Sequence, residues 1–142
     1  MAEFNWVKAL AECSLPNCFE RLHSGVQSDA VARKSQTLDD RITFEVSRPG
    51  PDRIMVTRGG TGAPIPRVDF VLEHNVIVVE ARLGEQFSEK FRATPGLNSP
   101  GECTLMVNGT ELELWQVRRL ALQDLFFSGL PQIAQRVAYG GL

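Results

Sequence analysis

The chain has 142 residues, 43% of them hydrophobic and 23% charged, with a formal net charge of −2. That length supports a single domain burying roughly 68–70% of its unfolded surface without metal or disulfide staples, and the balanced composition excludes a disordered chain. The mild acidity excludes a dedicated nucleic-acid binder, whose footprint is a basic surplus. Arginine nevertheless outnumbers lysine by 12 to 3, and its planar guanidinium suits bidentate contacts at interfaces.

The first residues, Met1 to Trp6, contain no basic region followed by an apolar run. No stretch approaches the ~20 apolar residues of a membrane span. Neither a secretory leader nor a membrane anchor is therefore expected. Cys13, Cys18 and Cys103 are odd in number and lack framework spacing, which predicts reduced thiols in a cytoplasm.

Two helices are predicted first, at about Glu3–Cys13 and Leu15–Lys34. Phe4, Val7 and Leu10 recur at helical spacing, broadened by Trp6 and Ala11, and Leu15, Phe19, Leu22, Val26 and Ala30 continue the pattern. Ser14 followed by Leu15-Pro16 reads as an N-cap with proline in the first turn. Gly25 weakens the second helix by up to ~1 kcal/mol relative to alanine.

After a polar connection at Ser35–Asp40 the period becomes two. Ile42, Phe44 and Val46 alternate with polar neighbours, and Arg48-Pro-Gly-Pro-Asp52 turns the chain into Ile54 and Val56. A glycine-rich stretch from Gly59 to Pro64 leads to Val68, Phe70 and Leu72. Glu73-His74-Asn75 reverses into Val76–Ala81, and Phe87, Glu89 and Phe91 make a fifth strand. Cys103, Leu105 and Val107 make a sixth, joined through Asn108-Gly109 to Thr110–Leu114. Helical spacing returns with Val117, Ala121 and Leu125, beside Leu120, until Gly129 and Pro131 stop it; Ile133 and Val137 suggest one further short piece.

The expected fold is α+β in one domain, 1–142. Helices occupy about 3–34, an antiparallel meander of six or seven strands about 41–114, and a helical segment about 115–139, with the helices packed on the sheet. Several strands ending in a helix that bears Trp115 resemble the layout of pleckstrin-homology domains. The two leading helices depart from it, no lysine/arginine phosphoinositide cluster matches, and no residue role carries over.

Chemical signatures are sparse. Gly60-Thr-Gly-Ala-Pro-Ile has two glycines of a dinucleotide fingerprint but Ile65 in the third position and no helix after it, so it reads as a hairpin loop. Cys13, Cys18 and His23 are spaced by five, which on a helix turns each side chain about 140° past the last, and Cys18 belongs with the core stripe. His74 beside Glu73 reads as a solvated turn histidine, because strand alternation points the two apart and no nucleophile elbow exists. Glu111 and Glu113, about 7 Å apart by strand rise, match the spacing of glycosidase carboxylates but read as a solvated face.

No cofactor, metal or catalytic residue is expected. Val76-Ile-Val-Val79 is apolar on both strand faces, which requires cover on the second face by a curled sheet, a subunit or a ligand. Leu125, Phe126 and Phe127 are consecutive, so one helix cannot turn all three inward, and Leu130 and Ile133 extend the apolar surface. Phe126, Phe127, Leu130 and Ile133 are the expected interaction residues. The expected function is a non-catalytic protein-interaction or regulatory module that self-associates as a homodimer or meets a separate protein partner. The alternative is a small apolar ligand held between a curved sheet and the helices. Nucleic acid and membrane are not expected partners.

Overall fold

A computed structural model describes residues 3–60 and 62–128. Two helices, α1 (Trp6–Glu12) and α2 (Leu15–Gln36), precede seven strands. These are β1 (Thr43–Gly50), β2 (Arg53–Gly59), β3 (Pro66–Leu72), β4 (Ile77–Leu83), β5 (Gln86–Leu97), β6 (Cys103–Val107) and β7 (Thr110–Leu112). Helix α3 (Leu114–Gln123) follows and runs into a π-helical turn, Asp124–Ser128. The α+β class and the antiparallel meander expected from the sequence are observed, with seven strands in chain order. The helical spacing predicted past Gly129 lies outside the described residues.

The local signals act where their chemistry places them. The Asn5 side chain accepts from the Lys8 N–H at 3.1 Å and opens α1, and the Ser14 hydroxyl accepts from the Asn17 N–H at 3.3 Å and opens α2. Each satisfies a donor that the first helical turn leaves without an internal partner. The glycine-rich stretch is the β2–β3 loop. At the β6–β7 turn Asn108 and Gly109 both have positive φ, 52° and 80°, as a two-residue hairpin twisted to match its strands requires.

The core lies between one sheet face and α2 with α3. Ile54 pairs with Phe70, Phe70 with Val79, Val79 with Phe91 and Ala93 with Val107, so one apolar row crosses the sheet. Helix α2 sets Phe19, Leu22 and Val26 against it, all fully buried, and α3 adds Val117 and Ala121. The predicted α1 stripe behaves differently. Phe4, Trp6, Val7 and Leu10 are 47–61% exposed and α1 buries no residue, because α2 and α3 already fill the core face.

The second face of β4 is covered in a way that alternation could not reveal. Val78 is buried there, and so is Asp69 on β3. The Asp69 carboxylate accepts from Arg67 Nε at 2.7 Å and Nη2 at 3.0 Å, also accepts from Arg53, and has Arg82 Nε at 3.4 Å. Glu80, paired with Asp69 in the ladder, accepts from Arg82 Nη2 at 3.1 Å. Arginine stems shield apolar neighbours while their heads neutralise carboxylates. This network lies on the same face of β3 and β4 as Val78.

Candidate functional site

Helices α2 and α3 leave a groove along their outer seam. Its two halves, of about 680 and 600 Å³, share Trp115 and Arg118. Arg118 crosses from α3 to Asp29 on α2, donating through Nε at 2.7 Å, and it does so over Gly25. A Cβ at Gly25 would fall 2.5 Å from Arg118 Nη1, so the glycine that weakens α2 also opens the path for this bridge. Trp115 stands at the groove centre, 50% exposed, its indole N–H donating to Glu113 at 2.6 Å.

The half nearer the π turn is lined by Trp115, Leu122, Phe126 and Phe127, together with Arg33, Arg118, Arg119 and Asp29. Three guanidiniums there face one carboxylate, already engaged by Arg118. The π turn separates the three consecutive apolar residues: Leu125 and Phe126 turn inward, and Phe127 stays 64% exposed. The Phe126 ring meets Phe44 edge-on at 5.1 Å, so Phe126 belongs to the core and not to an open interaction surface. Phe127 lies under the Arg33 guanidinium at 4.3 Å. Leu130 and Ile133 lie outside the described residues.

Arginines also close the end of this helix. Arg33 Nε donates to the Phe126 carbonyl at 2.8 Å, and buried Arg58 donates to the Leu125 and Phe126 carbonyls at 3.1 and 3.3 Å. They satisfy carbonyls that a helix end leaves open and complement its negative dipole end. Burial, and then the like charge of Arg33, press the Arg58 guanidinium below its ordinary value.

The other half of the groove is lined by Glu20, Arg21, Glu102, Cys103 and Glu113, among others. Beneath it lie three sulfurs. Cys13 and Cys103 form a disulfide with Cα atoms 5.4 Å apart, and the Cys18 sulfur is 3.5 Å from that of Cys103. The expectation of reduced thiols is thus corrected, and with it goes the support it lent to a cytoplasmic location. Residues 90 apart in sequence meet because α1 and β6 border the same edge of the core, which spacing along the chain does not reveal. Burial pushes the Cys18 thiol up, with Arg21 partly opposing.

The other candidates disperse. His23 is away from the sulfurs, its Nδ1 accepting from Arg48 Nη1 at 3.2 Å while Arg48 also holds Glu20. His74 is exposed in its turn. Glu111 ends in β7, whereas Glu113 caps α3, its N–H donating to the Gln116 side chain at 2.8 Å, so the two carboxylates do not share a strand face.

Trp115→Ala is expected to cost under ~1 kcal/mol in urea denaturation, because half of the ring already faces solvent. A loss of ~3 kcal/mol or more would place the ring in the core instead. Among the described residues no helix is long and apolar enough to cross a membrane. Comparison of the chain with protein-family models, with curated proteins and with solved structures finds no match, so none of them supports the pleckstrin-homology resemblance.

Proposed function

We propose that this protein is a non-catalytic interaction module that docks an acidic segment with apolar anchors in the α2–α3 groove. The observation that carries the proposal is the wall beside the π turn. Trp115 and Phe127 offer exposed aromatic faces, and Arg33, Arg118 and Arg119 outnumber the one carboxylate, Asp29. Aromatic and arginine side chains are the residues that most often concentrate binding energy at interfaces. Residues 129–142 contain Arg136 and no acidic side chain, so they lack the complementary charge. A second copy presenting the same groove would bring guanidinium against guanidinium. The space in which a small apolar ligand would lie is occupied by Phe19, Leu22, Ile54, Phe70 and Val117, all fully buried, which favours the interaction reading.

Two synthetic peptides test it, each with the same leucine and phenylalanine anchors at helical spacing, one on a glutamate background and one on a lysine background. In a Trp6→Phe background, Trp115 fluorescence should report saturable binding of the glutamate peptide only, weakened about tenfold by Arg119→Glu. Equal binding of both peptides, or of neither, would remove the reading.

Self-association fits a different surface. The exposed apolar side chains Phe4, Trp6, Val7 and Leu10, beside the Lys8–Glu12 ion pair, can meet their own copy about a two-fold axis. A homodimer built on it should dissociate in light scattering on Trp6→Glu substitution. A protein that is already monomeric at micromolar concentration would exclude it.

A further inference from the structure

Three sulfurs from three elements converge below the Cys103 end of the groove. Cys13 caps the end of α1, Cys18 sits in the first turns of α2 and Cys103 begins β6; all three sulfurs lie within 4.8 Å of one another. On one continuous helix the five-residue step from Cys13 to Cys18 would turn the two side chains apart. The chain instead breaks at Ser14, the N-cap of α2, and the break brings them together. Four-coordinate zinc, with sulfurs about 2.3 Å away, holds those sulfurs about 3.8 Å from one another. The Cys18 and Cys103 sulfurs already stand at 3.5 Å. Cys13 and Cys103 are bonded, with Cα atoms 5.4 Å apart, and after reduction their side chains can rotate to the same spacing.

We propose that Cys13, Cys18 and Cys103, once reduced, form a three-thiolate zinc site that ties α1, α2 and β6 together. A dithiol reductant opens the Cys13–Cys103 bond, giving two thiols as the dithiol itself becomes a disulfide. Zinc then bonds to the three sulfurs, and their three protons leave to solvent. Burial disfavours a bare Cys18 thiolate, so the proton stays until the metal displaces it. Zinc neutralises two of the three thiolate charges, and Arg21, which already acts on Cys18 electrostatically, offsets the third. Among the described residues no histidine or carboxylate joins the cluster, and zinc keeps four ligands. Water completes the set, entering from the groove that half-buried Cys103 lines. Oxidation to the Cys13–Cys103 disulfide removes two ligands and releases the metal, so the site holds zinc only under reducing conditions.

The test adds cobalt(II), a spectroscopic stand-in for zinc, to the full chain reduced with a phosphine and desalted without air. One equivalent should give the intense visible absorption and charge-transfer band of a four-coordinate cobalt thiolate, and zinc should bleach both. X-ray absorption of the zinc form should count three sulfurs and one lighter atom. Zinc should raise the melting temperature of the reduced protein by several degrees and leave that of the oxidised protein unchanged. Cys18→Ala should weaken cobalt binding at least about tenfold, the least that losing even an outer partner of a metal site costs. Should reduction by itself abolish the circular dichroism of the fold, zinc should restore it in the parent and not in Cys18→Ala. A six-coordinate cobalt spectrum, two sulfurs on zinc, equal binding by the oxidised protein, or equal affinity in Cys18→Ala would each overturn the proposal.

Discussion

Asp69→Ala should lower the stability of the domain by about 3–5 kcal/mol, the cost of removing one partner from a buried charge network. Asp69 is fully buried, and Arg53, Arg67 and Arg82 all converge on its carboxylate. Without it three guanidiniums crowd one sheet face, and among the described ion pairs Glu80 remains to two of them, Arg53 and Arg82. The measurement is the urea midpoint at unchanged m-value, so that the change reports stability and not compactness. A loss below ~1 kcal/mol would mean that the network behaves like exposed surface pairs.

Phe126→Ala should cost about 3–5 kcal/mol, the usual range for truncating a buried phenylalanine. Its ring fills the space against Phe44, and Arg58 lies over that Phe44 ring while donating to the Phe126 carbonyl. Phe127→Ala, one residue on, should cost no more than ~1 kcal/mol, the value of its exposed contact with Arg33. It should instead weaken binding of the glutamate peptide in the groove. Comparable losses of stability for the two variants would show that the π turn does not divide the pair into core and surface.

The contrast between these neighbours marks how far local pattern carries. Three consecutive apolar residues, Leu125 to Phe127, predict that one must face outward but not which one, because the answer depends on a π turn that shifts the helical phase. The glutamates at 111 and 113 illustrate the same limit: their spacing suits one strand face only if the strand continues, and it ends at Leu112. The groove itself was not legible beforehand. Arg33, Arg118, Arg119 and Trp115 lie on two helices about 80 residues apart, and arginine excess was the only hint that such a surface exists.

Period-two alternation, the Asn108-Gly109 turn, the Ser14 cap and the stripe from Cys18 to Ala30 depend on backbone preferences and side-chain directions within a few residues, so the order and class of the elements could be read from the chain alone. Antiparallel pairing of successive strands followed from their short connections. The joining of Cys13 to Cys103 beside Cys18, the gathering of three arginines on Asp69 and the exposure of α1 were decided only by tertiary structure. Each depends on which elements share an edge or face after packing. Residues 85 to 90 apart acquire a fixed separation only when the core that lies between them has formed.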